Sequence, residues 1–240
     1  MSDPLPVSLR LDDGDTGTGT PISQIVESHL KSRGRNRSCE PVDPDTLWDV
    51  AYFGLDRVRL FRQATETQQK EVLAGCARGL LNEAYFIEKS GAAYCAKMIL
   101  LAESTEVRQV YSLIAADEAS HLQWIRPHVL EADRDRPSGA LLTFLGDLIE
   151  RCDRNTLAYL VQVILEGWGL HHYRSLSQSC CHPGLREIFQ AIHKDEALHH
   201  HTGEVLFDPR QVTTAEQQSL VRSSLRTYTE MVRVGPQGVV

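Results

Sequence analysis

Asp117-Glu118-Ala119-Ser120-His121 decides the fold, because the chain repeats it as Asp195-Glu196-Ala197-Leu198-His199. On a helix, residues three apart share a face about one turn from each other. Glu118 with His121, and Glu196 with His199, therefore each project a carboxylate and an imidazole together. Such a pair is half of a metal site. Two halves of this kind, completed by one further Glu from each of two other helices, make the donor set of a dinuclear centre in a four-helix bundle.

The completing glutamates follow from spacing. Glu88 lies 30 residues before Glu118, and Glu166 lies 30 before Glu196. The offset between the halves is 78 residues for both pairs, the trace of a duplicated helical hairpin. For two Glu to stand level on antiparallel helices, the turn must fall midway between them. The first midpoint is Glu103, within Ala102-Glu103-Ser104-Thr105, where Ser104 and Thr105 are N-cap residue types. The second is Cys181, within Cys181-His182-Pro183-Gly184, where Pro183 opens the next helix. Glu83 is the rival for the first position, but its midpoint with Glu118 falls inside the unbroken apolar run Met98-Ile99-Leu100-Leu101. Glu83 is kept as a residue near the site.

The surroundings agree. Glu88 lies in a stripe with Leu81, Ala84, Tyr85, Gly91, Ala92 and Cys95, and Glu118 lies among Val107, Tyr111, Ile114, Leu122 and Ile125. Carboxylates on the apolar face of a helix are costly unless paired or bound to a metal. Crowded together without a cation, several would be forced to take up protons.

The set Glu88, Glu118-x-x-His121, Glu166, Glu196-x-x-His199 resembles the ferritin-like di-iron carboxylate superfamily, over roughly residues 65 to 207. The spacing of 30 is closer to its oxygenase and quinone-hydroxylase branches than to ferritins. The resemblance implies an all-α fold: a ferritin-like four-helix bundle with a crossover helix and additional N- and C-terminal helices. It implies that Glu118 and Glu196 bridge two metals, that Glu88 and Glu166 are terminal ligands, and that His121 and His199 hold one metal each. It also implies that Asp117 and Asp195 accept a hydrogen bond from a ligand histidine, fixing its tautomer. Oxygen and imidazole donors with open positions suit Fe or Mn better than zinc. Two Fe ions are the first expectation, with Fe/Mn or Mn as alternatives, and O2 as co-substrate.

The activity implied is that of a di-iron oxygenase or oxidase, hydroxylating, N-oxygenating or desaturating a small organic substrate. Electrons would come from an external donor, a reductase or ferredoxin. Two other readings stay open: a ferroxidase or peroxide scavenger, and a metal-free helical binding module. His193, three residues before Glu196, shares its face and is a candidate further ligand or neighbour; Tyr85, one turn before Glu88, is another near-site candidate. Gly167 and Gly169 either leave room beside the metals or serve close helix packing. Two positions depart from relatives. Ile125 stands where the radical subunit of ribonucleotide reductase has Tyr, and Leu170 where multicomponent monooxygenases and acyl-carrier desaturases have Thr.

At 240 residues the chain can hold one domain with a sizeable core. A net charge of −7 gives no encouragement to nucleic acid, and no Lys/Arg run marks a membrane surface. The six cysteines show no C-x-x-C spacing, and no basic-then-apolar leader follows Met1, so a cytoplasmic location is expected. A homodimer is compatible with the pattern.

In chain order, residues 1–20 read as a flexible segment rich in Asp, Gly and Thr. Pro21 to Leu30 reads as a short helix capped by Thr20, and Lys31 to Arg37 as a solvated basic linker. Asp45 to Arg62 reads as one or two helical segments whose Trp48, Tyr52, Phe53 and Phe61 pack on the bundle. Ligand helices are expected at about 67–102, 105–126, 156–178 and 183–207, the second ended by Pro127. Glu131 to Pro137 reads as a charged linker and Ser138 to Arg154 as the crossover helix. Thr213-x-x-Glu216 reads as a capping box opening a last helix through Val232. Residues 21–233 make a single helical domain, and 234–240 a tail.

Overall fold

The computed structural model describes residues 20–134 and 140–234. The expectations for residues 1–19, for the end of the charged linker with Ser138 and Gly139, and for the tail from 235 lie outside the described residues. Within them, regular structure is helical, with no strand. The helices are α1 (Pro21–Ser32), α2 (Arg59–Gln63), α3 (Glu66–Leu101), α4 (Thr105–Ile125), α5 (Ala140–Arg151) and α6 (Arg154–Leu157). A π-helical stretch (Ala158–Leu165) follows, then α7 (Glu166–Ser179), α8 (Pro183–Leu206) and α9 (Ala215–Val234). No helix among the described residues is long and apolar enough to cross a membrane. The chain divides into two compact units, Met1–Pro41 with Leu81–Gly146, and Val42–Leu80 with Asp147–Val240.

In the first unit α3 turns back into α4 over three residues. Ser104, in extended geometry, accepts a hydrogen bond from the Val107 amide at 3.2 Å and so caps α4. At the other end Pro127 cannot donate to the helix, and the chain tightens into a 3-10 turn, Arg126–His128. The helices meet through side chains about two turns from the site: Tyr94 and Tyr111, both buried, pack edge to face at 6.1 Å. Arg134 closes the segment after α4, donating to the Val129 carbonyl at 3.0 Å and to the Arg126 carbonyl at 3.2 Å.

In the second unit the turn before α8 is capped by a residue type that does not announce itself. His182 Nδ1 accepts from the Leu185 amide at 3.2 Å, and Pro183 starts the helix. Asp153 caps α6, accepting from the Asn155 and Thr156 amides, both at 3.0 Å. The segment from Pro44 to Gln63 forms two 3-10 turns (Pro44–Thr46 and Leu55–Arg57) and α2, shorter helical pieces than its aromatic pattern suggests. Trp48 is buried against Phe189, and its indole donates to the Leu176 carbonyl at 3.3 Å. Leu55, Phe61 and Leu73 form a separate small cluster. The capping box of α9 sits one residue later than the sequence suggests. Thr214 Oγ1 accepts from the Gln217 amide at 3.1 Å, while Gln217 Oε1 accepts from the Thr213 and Thr214 amides.

The third ligand stretch, expected as one continuous α-helix, is interrupted by the π-helical turns of Ala158–Leu165. These wider turns lie against α8, where Gly203 comes close to Gln162. A Cβ at Gly203 would stand 2.4 Å from Gln162 Cβ and 3.1 Å from its backbone carbonyl carbon. Backbone cannot yield there as a flexible side-chain tip would. Gly203→Ala therefore lowers the unfolding free energy by about 1–3 kcal/mol. Gly169→Ala, whose added carbon meets nothing within 4 Å, is neutral or stabilising by up to about 1 kcal/mol. Urea denaturation of both variants beside the parent checks this, and equal effects would remove close approach as the reason for Gly203.

Candidate metal centre

Each unit carries one triad, buried throughout in the first and buried except for the half-buried Glu166 in the second. In the first, α3 supplies Glu88 and α4 supplies Glu118 and His121, with relative exposures of 1%, 5% and 0%. In the second, Glu166 opens α7, while α8 supplies Glu196 and His199, exposed by 6% and 0%. Within either triad every residue offers a ligand atom lying within 4.8 Å of the others, a geometry that can hold a metal ion. The Glu–His spacing of three works as expected: His199 Nδ1 stands 3.6 Å from Glu196 Oε1. His121 Nδ1 instead faces across to α3, 2.9 Å from Glu88 Oε2. An imidazole nitrogen and a carboxylate oxygen at that distance share a proton, or else both turn their lone pairs to a cation.

The backbone is shaped around the first triad. A Cβ at Gly91 would stand 2.4 Å from Glu118 Oε2 and 2.7 Å from its carboxyl carbon, so the missing side chain of α3 is the space the α4 carboxylate occupies. That cradle, and a donor set of two carboxylates and one imidazole per triad, fit a hard or borderline divalent ion such as Fe or Mn.

The second triad is held by the contact between the π-helical stretch and α8. Gln162 Nε2 donates to the His199 carbonyl at 3.2 Å, and His200 Nδ1 lies 2.9 Å from the Gln162 carbonyl. Gln162 is fully buried, and the Glu166 amide itself bonds to the Val161 carbonyl, five residues back. The π turn thus sets the angle at which Glu166 leaves the helix, as such turns commonly do at functional sites. Gly167 faces the His200 ring, with a built Cβ 3.1 Å from Cε1, which explains one of the two glycines by packing. Gln162 and the π turn carry no sequence signal that would have singled them out.

The remaining candidates are placed as follows. Asp117 forms an ion pair with Arg35, from the basic stretch after α1. That stretch is no plain linker: Trp124 Nε1 donates to the Arg35 carbonyl at 2.7 Å, and the Arg37 guanidinium lies 5.7 Å from the Trp124 ring centre. A cation holding the Asp next to a ligand Glu was not legible, since its partner lies 82 residues away. Asp195 is half-buried. Tyr85 is fully buried, edge to face with Phe86 at 5.4 Å. His193 is half-buried, its Nδ1 sealed from solvent with no hydrogen-bond partner among the described residues. Glu83 is half-buried, and desolvation pushes its carboxyl above the ordinary 4.5.

No protein-family model, curated protein or solved structure matches the chain.

Two outcomes follow. Gly91→Ala displaces the Glu118 carboxylate and weakens Fe(II) or Mn(II) binding by about 10- to 100-fold, the range expected when a ligand's support is lost. Chelator-competition titration measures it, and an unchanged affinity would remove Glu118 from the donor set. Glu83 carries a folded-state pKa above its unfolded value, so its favourable contribution is complete below 4.5 and disappears as pH rises through the raised value. Glu83→Gln accordingly stabilises the protein at neutral pH but not in acid, as paired denaturation curves at the two pH values will show.

Proposed function

We propose that each triad holds a metal ion, and that the protein is a non-heme di-iron oxygenase or oxidase of ferritin-like build. The observation that carries this reading is the Glu, Glu-x-x-His triad found twice, with buried Glu88, Glu118 and His121 in one copy and half-buried Glu166 with buried Glu196 and His199 in the other. In this reading α3, α4, α7 with its π turn, and α8 are the four ligand helices, and α5 is the crossover between the hairpins.

The assignment of roles follows the resemblance. By the resemblance, Glu118 and Glu196 would be the bridging ligands, Glu88 and Glu166 the terminal ones, and His121 and His199 would each hold one metal. Iron held there would supply the redox chemistry for dioxygen activation, with hydroxylation, N-oxygenation or desaturation of a small organic substrate as the reaction. The chain's own residues do the rest. Leu81, Tyr85, Ile114 and Ile125, all buried, exclude water around the first triad and protect the chemistry from side reactions. Gly91 leaves the Glu118 carboxylate space to change its orientation. Arg35 pairs with Asp117 and so holds in place the residue that precedes Glu118. An external reductase or ferredoxin re-reduces the centre.

The test begins with metal-free protein loaded anaerobically with Fe(II). About two irons bind per chain, and the number falls in Glu118→Ala and Glu196→Ala. Oxygen uptake then depends on a chemical reductant and accelerates with organic substrate from a panel of amines, arenes and alkyl chains. Uptake that no organic compound alters, with ferric oxide accumulating, would instead establish a ferroxidase. Failure to bind iron at all would leave a helical binding module.

A further inference from the structure

Away from the triads, one pair of side chains has the geometry of an activated thiol. Cys39 Sγ lies 3.2 Å from His128 Nε2. Cys39 is half-buried and in no disulfide, with exposed Ser38 and Glu40 on either side. The two residues come from 89 positions apart, and the backbone is pinned on both sides of the meeting point. Before Cys39, Arg35 is tied down through its carbonyl by Trp124 and through its guanidinium by Asp117. Beyond His128, Arg134 grips the Val129 and Arg126 carbonyls.

We propose that Cys39 is a modification site, a thiolate activated by His128 and reactive toward hydroperoxides. A thiol next to an imidazole passes its proton to the ring when the ion pair is favoured by positive surroundings. Arg33, Arg35 and Arg37 precede Cys39, and Arg126 and Arg134 flank His128; the acids of the same stretches are Glu40, Glu131 and Asp133. With Asp117, which pairs with Arg35, counted among the acids, these stretches still hold five cations against four acids. In the reaction the Cys39 sulfur attacks one peroxide oxygen, forming an S–O bond as the O–O bond breaks. Sulfur loses two electrons and the peroxide gains them. The leaving hydroxide takes the proton held on His128 Nε2 and departs as water, leaving a sulfenic acid beside a neutral imidazole.

The other cysteines are internal controls. Cys95, Cys152 and Cys180 are buried, burial pushes the Cys76 thiol up, and Cys181 is exposed with its sulfur facing the Ser179 carbonyl. None of this depends on the metal reading, so the experiment uses the full-length metal-free protein. Iodoacetamide at neutral pH, read by peptide mass spectrometry, alkylates Cys39 about 10-fold or more faster than Cys181. His128→Gln brings the two rates together. Hydrogen peroxide with dimedone tags Cys39 in the parent and not in His128→Gln. The thiolate's ultraviolet absorbance, taken as parent minus Cys39→Ser, is present at neutral pH and vanishes when His128 is changed. A Cys39 no faster than Cys181, or a folded His128→Gln variant that reacts like the parent, overturns the proposal. If that variant does not fold, the Cys39-to-Cys181 ratio in the parent decides alone.

Discussion

A carboxylate cannot enter a helical interior unless something there replaces the water it leaves, and an uncompensated ion costs several kcal/mol even after relaxation. Glu88 and Glu118 face this together, both essentially without solvent, and Glu196 faces it again in the second triad. One imidazole per triad meets part of this demand. His121 does so for Glu88 at 2.9 Å, while the Glu118 carboxylate fills the space that a side chain at Gly91 would take. A divalent ion held by the three side chains would meet all of it at once, which makes a set so unfavourable to folding coherent as a candidate metal site.

That demand explains several features that local propensity does not. Glycine at position 91 of a long helix weakens it by up to about 1 kcal/mol relative to alanine, and the Glu118 carboxylate is the reason. The π-helical turns before Glu166 forgo α-helical geometry over eight residues, and what they gain is the Gln162 contact with the carbonyl of His199. Gly203 permits that approach. Regular helix is thus given up where a ligand's direction is set and kept elsewhere.

The helices and the two Glu-x-x-His pairs were legible because both signals are short-range. Glu118 and His121 announce themselves by a spacing of three, and the turns by Ser104 and Pro183. What stayed hidden depends on meetings between distant segments. Arg35 looked like part of a solvated linker because Asp117 and Trp124 lie more than 80 residues on. The π turn has no composition of its own, since Ala158 to Leu165 reads as an ordinary apolar helix. The α9 cap slipped by one residue because Thr213 and Thr214 compete for the same role, and Gln217 reaches back to both amides. His182 was missed as a cap because imidazoles rarely serve there.

The stretch after α1 shows how much such a meeting changes. Arg35 and Cys39 are four residues apart on one strand of irregular chain, the first bound to the residue before a ligand Glu, the second to His128 just past the end of the same helix. A segment anchored at both points cannot move at one end without straining the other, since so short a stretch of extended chain has little slack. Arg35 contributes a guanidinium that a lysine could not replace equally. Its planar fork pairs with Asp117 while its face lies 6.0 Å from the Trp124 ring centre. The basic residues of this stretch are therefore placed individually by the partners they meet, and their common charge is a consequence of those meetings as much as a property of the sequence.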